Sequence, residues 1–133
     1  MVHAKELMLG DWVKKGNLFG RVFDIEQREK YAIVGVEFES GYDVYDEDEL
    51  GPVPLTPEIL EKNGFGFTKS DFTDSVWNGW WIYKGLELAT ACLDKEGNWP
   101  CFINIYDSNI KCEYVHQLQH ALKIAKIEKE IEI

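Results

Sequence analysis

A chain of 133 residues with 45% apolar and 14% aromatic content can bury roughly two-thirds of its unfolded surface, in one domain or in two small ones sharing a core, and this excludes a disordered chain. Its 24 acidic and 14 basic residues leave a net charge of −10, a field that repels phosphate backbones, so direct nucleic-acid binding is not expected. No apolar run approaches the ~20 residues of a membrane span, and the start, Met1-Val2-His3-Ala4-Lys5-Glu6, lacks the apolar centre of a signal peptide, so no membrane partner is expected and the expected compartment is the cytoplasm.

Lys5 to Val13 reads as a short lead-in, a Gly10-Asp11 turn and a strand, followed by a hairpin or loop through Gly16-Asn17. Gly20 to Ile25 gives a second strand, whose alternation puts Val22 on the face opposite Phe23 and Ile25. Glu26 to Lys30 is a polar turn. Tyr31 to Phe38 is the strongest strand, with Val34, Val36 and Phe38 on one face; Gly41 ends it, and Asp43-Val44-Tyr45 begins another. Asp46 to Leu50 is an acidic turn, and Gly51-Pro52-Val53-Pro54 an extended connector, because each proline pushes its predecessor out of the helical region. Short, strongly turned strands following one another so closely suggest a small barrel.

Leu55 to Phe65 is a helix with its own start and stop signals. Thr56 is the N-cap and Pro57 takes the first helical position, where no N–H is missed. Leu55 closes on Leu60 as a hydrophobic staple, and Gly64 takes the left-handed conformation past the end, returning Phe65 to Leu60. Phe65-Gly66-Phe67-Thr68 leaves as a strand, and Ser70 to Asn78 is a polar loop. Trp80 to Tyr83, Leu86 to Leu93 and Trp99 to Tyr106 are three further strands, joined by turns at Lys84-Gly85 and Asp94 to Asn98, so the natural topology is a meander. Pro100 starts its strand late or places it on an edge. Asp107-Ser108-Asn109 is a turn before Ile110 to Glu113. From Tyr114 the period is helical, with Tyr114, Val115, Leu118, Ala121, Leu122 and Ala125 in one apolar stripe that can lie across a sheet. Glu130-Ile131-Glu132-Ile133 alternates with period two, as a short strand does.

Two resemblances are carried by these segments. Leu9-Gly10-Asp11-Trp12-Val13, Gly20-Arg21-Val22 and Val34-Gly35-Val36-Glu37-Phe38 resemble the strands of SH3-like or Tudor-like barrels. Leu9 to Val13, Pro54 to Phe65 and Tyr114 to Gln119 are similar to the framework of small uncharacterised proteins of gut bacteria, their prophages and other mobile elements, a family with no established activity. The chain departs from that family after Gln119, where His120 to Ile127 runs on without a glycine stop.

Candidate sites are few. Between Glu37 and Glu49 stand seven acids, Glu37, Glu39, Asp43, Asp46, Glu47, Asp48 and Glu49, and no base, a surface that serves solubility or attracts a basic partner. The run lacks the alternating ligands and central glycine of a calcium loop. Trp77, Trp80, Trp81, Tyr83 and Trp99 gather aromatic area; alternation puts Trp80 and Trp81 on opposite faces, one serving the core and the other reaching the second face, where it packs against the first half or marks a partner or ligand surface. His116 and His120 share a helix face at a spacing that can hold a metal, but two ligands do not complete a zinc shell. Cys92, Cys101 and Cys112 form no CxxC pair and are expected to be reduced; Cys92 and Cys101 flank the expected hairpin. No nucleophile elbow, phosphate loop or dinucleotide fingerprint is present, so no catalytic residue, metal or cofactor is assigned.

The expected architecture is α+β and β-dominated, with an SH3-like barrel over residues 1–54 and, over 55–133, a hinge helix and an antiparallel meander covered by one amphipathic helix. The expected function is a non-catalytic interaction module of mobile-element origin, taking a basic protein through Asp43, Asp46, Glu47, Asp48 and Glu49, and also through Trp77, Trp80 and Trp81. Two alternatives stand beside it: an accessory factor or DNA mimic acting on a basic nucleic-acid-binding protein, and a small-molecule or glycan binder or enzyme using the tryptophan-rich face.

Overall fold

The computed structural model describes residues 2–69, 77–91, 101–105 and 108–133. It is β-dominated α+β, and its described residues form two five-stranded antiparallel sheets and two α-helices. The chain divides into two compact units, Met1–Pro54 with Tyr114–His116, and Leu55–Glu113 with Gln117–Ile133.

The first unit contains β1 (Trp12–Lys15), β2 (Leu18–Gln27), β3 (Ala32–Phe38), β4 (Gly41–Asp46) and β5 (Gly51–Pro52), in the order β4-β3-β2-β1-β5. The sheet is open, with β4 and β5 at its edges. Pro52 fits there, since an edge strand can spare an N–H. Ahead of β1, the Asp11 N–H donates to the Met8 carbonyl at 3.1 Å across a turn whose third residue, Gly10, has φ +91°, as a type II turn requires. Asp11 is fully buried, and its Oδ2 accepts the Met8 N–H at 2.8 Å. Gly16 and Asn17 form the two-residue link between Lys15 and Leu18, with Gly16 at φ +60°.

One expectation of alternation changes in β2. The ladder to β3 steps from Val22↔Val36 to Asp24↔Gly35, so Phe23 is an extra residue in a bulge. Inserting one residue reverses the parity of the strand beyond it. Val22 is therefore buried and Ile25 packs against the same core, with Val13, Val34, Val36 and Phe38, while Phe23 is exposed. The acidic turn after β4 is a 3₁₀ turn, Glu47–Glu49, and a second 3₁₀ turn, Ala4–Glu6, precedes β1. Gly41 opens β4 rather than ending β3, because the turn residues are Glu39 and Ser40.

In the second unit, α1 (Pro57–Lys62) begins where Thr56 Oγ1 accepts the Ile59 N–H at 3.3 Å. It ends with Gly64 at φ +86°, the Phe65 N–H on the Leu60 carbonyl at 3.0 Å and the Gly64 N–H on the Glu61 carbonyl at 3.1 Å, the paired bonds of a Schellman stop. Leu55, Leu60 and Phe65 are buried. Next come β6 (Gly66–Lys69), β7 (Trp77–Tyr83), β8 (Leu86–Ala91), β9 (Cys101–Ile105) and β10 (Ser108–Cys112), which pair among the described residues with their chain neighbours in the order β10-β9-β8-β7-β6. Lys84 and Gly85, at φ +46° and +87°, make the β7–β8 link, the double positive φ of a type I′ turn. β7 takes in Trp77 and Asn78, and β10 takes in Ser108 and Asn109, where loop and turn were expected. The expected loop over 70–76 and the turn at 94–98 lie outside the described residues.

Helix α2 spans Val115–Ile124, and Val115, Leu118, Ala121 and Leu122 of its stripe are buried, whereas Ala125 is exposed. Its end needs no glycine: the Ile127 N–H donates to the Leu122 carbonyl at 2.9 Å and the Lys126 N–H to the Lys123 carbonyl at 3.1 Å, with Lys126 itself at φ +59°. No strand forms over Glu130–Ile133. Among the described residues, no helix is long and apolar enough to cross a membrane.

Candidate functional site

Of the acidic run, Glu37 lies in β3 and Glu39 in the β3–β4 turn, while Asp43 and Asp46 stand on the edge strand β4 and Glu47, Asp48 and Glu49 form the 3₁₀ turn after it. Most of its carboxylates accept backbone N–H groups. Glu47 Oε2 takes the Ala4 N–H at 2.7 Å. Asp46 and Glu49 form a capping box, with the Asp46 N–H on Glu49 Oε1 at 3.2 Å and the Asp46 side chain on the Glu49 N–H. Glu49 Oε2 also lies 3.3 Å from Lys15 Nζ. Asp43 Oδ1 takes the Val44 N–H at 2.8 Å, and its Oδ2 accepts from the Tyr45 hydroxyl at 3.4 Å.

These contacts have a common geometric meaning. The two-residue turn at Glu39-Ser40 closes the β3–β4 hairpin at Phe38↔Gly41, so the hydrogen-bonded pairs are 38/41, 36/43 and 34/45 and the N–H groups of Tyr42, Val44 and Asp46 point away from β3. Asp43 covers the second of these and Glu49 the third. The edge strand is thereby blunted against the addition of another strand. Tyr45 packs against the core; burial, then the Asp43 carboxylate beside it, raises its phenol above the ordinary tyrosine value.

The outer face of the same sheet carries a second feature. Register aligns Trp12, Arg21, Glu37 and Tyr42 in one row, and Asp24, Gly35 and Val44 in the next. The bulged Phe23 lies over Gly35, where a Cβ would stand 2.8 Å from its ring, and meets Tyr42 edge-on at 5.2 Å and 83°. Phe23, Tyr42 and Val44 are 41%, 69% and 59% exposed. Arg21 stacks its guanidinium 4.6 Å from the Trp12 ring. Sequence reasoning missed this group because strict alternation paired Phe23 with Ile25; Gly35 in an otherwise Val-rich strand was the available signal.

Of the tryptophans, Trp81 is buried with its ring 5.1 Å from that of Phe67, while the side chains of Trp77 and Trp80, and the whole of Trp99, lie outside the described residues. His116 is buried and stacks on Tyr114 at 5.9 Å, with His120 half-buried one turn on. Among the described residues, no three His, Cys, Asp or Glu side chains gather in a way that could hold a metal ion. Cys112 is buried and lies opposite Cys101 in the β9–β10 register; Cys92 lies outside the described residues.

Comparison of the chain with protein-family models, with curated proteins and with solved structures gave no significant match in any of the three.

Proposed function

We propose that the chain is a non-catalytic cytoplasmic interaction module that takes a basic protein partner at the acidic end of its first unit. The observation that carries this reading is the position of the charge. Asp43, Asp46, Asp48 and Glu49 are all exposed on one sheet edge and the turn after it, where a cationic surface can approach and be steered. A mobile-element origin rests on the resemblance of Leu9 to Val13, Pro54 to Phe65 and Tyr114 to Gln119 alone.

The first unit reads as an SH3-like small barrel, supported by the bulge in its longest strand, β2, which is the device by which a sheet curls toward closure. The reading of 1–54 and 55–133 as two domains draws support from the break between compact units after Pro54, although Tyr114–His116 falls with the first unit. The buried stripe of α2 supports its reading as the cover of the meander.

The test is capture of partners from native lysate at low and raised salt, by the wild-type chain and by a Glu39→Lys/Asp48→Lys variant. These two acids are exposed, whereas Asp46, Glu47 and Glu49 hold backbone groups and would disturb the fold if reversed. A basic partner that is lost at raised salt and lost to the variant, with the unfolding midpoint unchanged, is expected. Capture unaffected by both salt and charge reversal overturns the reading.

A further inference from the structure

We infer that the partner docks on the outer face of the first unit's sheet, centred on Phe23, Tyr42 and Val44, and that it presents apolar side chains flanked by lysine or arginine. This inference rests on the basic-partner reading above and adds to it the apolar contact that charge alone does not provide.

The core does not require the Phe23 ring. Val22, Ile25, Val34 and Val36 fill the inner side of β2 and β3, and the bulge uses an additional residue to turn Phe23 outward. Bulges re-aim side chains in this way beside functional surfaces. Gly35 leaves the ring a seat that a Cβ would occupy, and Tyr42 meets it edge-on. The result is an ordered aromatic surface held open to solvent, with Val44 alongside in the row of Gly35.

The charges around this surface define its occupant. Glu37 stands opposite Tyr42, Asp24 and Gly35 are paired, and Glu26 and Asp46 flank Ile33 from the two neighbouring strands. Against these four carboxylates stand two bases, Arg21, whose guanidinium lies over Trp12, and Arg28, which pairs with Glu26 at 3.1 Å, so the rim keeps an acidic excess through Asp24, Glu37 and Asp46. An apolar centre with an acidic rim is complementary to an apolar segment with basic flanks. Strand addition at β4 is the less suitable mode, since Asp43 and Glu49 already take the outward N–H groups of Val44 and Asp46. The face therefore remains as the contact.

The test uses the full chain and two fluorescein-labelled peptides of equal charge, Lys-Lys-Trp-Leu-Lys-Lys and Lys-Lys-Ser-Ser-Lys-Lys, titrated by fluorescence anisotropy at low and raised salt. The apolar peptide is expected to bind about tenfold or more tightly than the serine peptide, and Tyr42→Ser or Phe23→Ser to remove that preference while the unfolding midpoint holds. Equal affinity for the two peptides, or a preference that survives both substitutions, overturns the aromatic docking surface while leaving salt-sensitive acidic capture intact. Absence of binding by either peptide overturns the basic-partner reading together with the docking surface. Dimerisation of the wild type in sedimentation, abolished by Tyr42→Ser, would place a second copy on the face and overturn the basic occupant.

Discussion

The side-chain amide of Asn63 holds the backbone of Glu132 by both of its groups: Nδ2 donates to the Glu132 carbonyl at 2.7 Å, and Oδ1 accepts the Glu132 N–H at 2.8 Å. The same Nδ2 also donates to the Ile59 carbonyl at 2.7 Å. One side chain thus does for Glu132 what a neighbouring strand would do, and Ile131 beside it is buried. Asn63→Ala leaves the part-buried N–H and carbonyl of Glu132 without this partner and is expected to cost about 1–2 kcal/mol. Urea unfolding measures the loss, and the Glu132 amide should lose its protection from hydrogen exchange.

The two helix stops differ in one residue type. Gly64 occupies the left-handed position after α1, and Lys126 the same position after α2, where a Cβ is strained. Lys126→Gly should therefore raise stability by up to about 1 kcal/mol, and Gly64→Ala should lower it by a similar amount. Thermal melts of the two variants should move in opposite directions.

Gly20 and Gly35 both underlie close contacts, with different neighbours. A Cβ on Gly20 meets Val36 Cγ1 at 2.5 Å and the Glu37 carbonyl oxygen at 2.9 Å, whereas the three atoms nearest to one on Gly35 all belong to the exposed Phe23 ring. Gly20→Ala is expected to cost about 1–3 kcal/mol through overpacking, and Gly35→Ala less, because the ring can swing aside. Denaturant midpoints in the reverse order would contradict this placement of the ring.

Tyr45 links the acidic edge to the core. Burial, then Asp43, raises its phenol above the ordinary value. A raised folded value means that this contribution to stability is complete below the unfolded phenol value and is lost as pH rises through the folded one. Ultraviolet titration of tyrosine should find a phenol that ionises late, moved downward by Asp43→Ala. An unchanged titration in that variant would contradict the contact.

Local signals foretold the local structures. Thr56, Pro57 and Gly64 specify α1 because capping, a fixed proline φ and a positive glycine φ depend on neighbours in the chain. The Gly16-Asn17 and Lys84-Gly85 links were readable for the same reason. What escaped depends on partners far away in sequence. The bulge at Phe23 is fixed by how β2 meets β3 and reverses the side to which Ile25 turns. Glu130–Ile133 alternates like a strand, but its partner is an amide of α1's C-cap, which periodicity does not encode. The acidic run was legible as charge, whereas its use on the N–H groups of Ala4, Val44 and Asp46 emerges only once β4 lies on an edge.

Residue-resolved titration of the chain with a lysine-rich peptide, monitored through backbone amide shifts at low and raised salt, addresses the acidic edge most directly. Shifts gathered over Tyr42 to Glu49 that collapse as salt rises are expected. Shifts confined to the second unit, or no shifts at low salt, would contradict a basic partner at this edge.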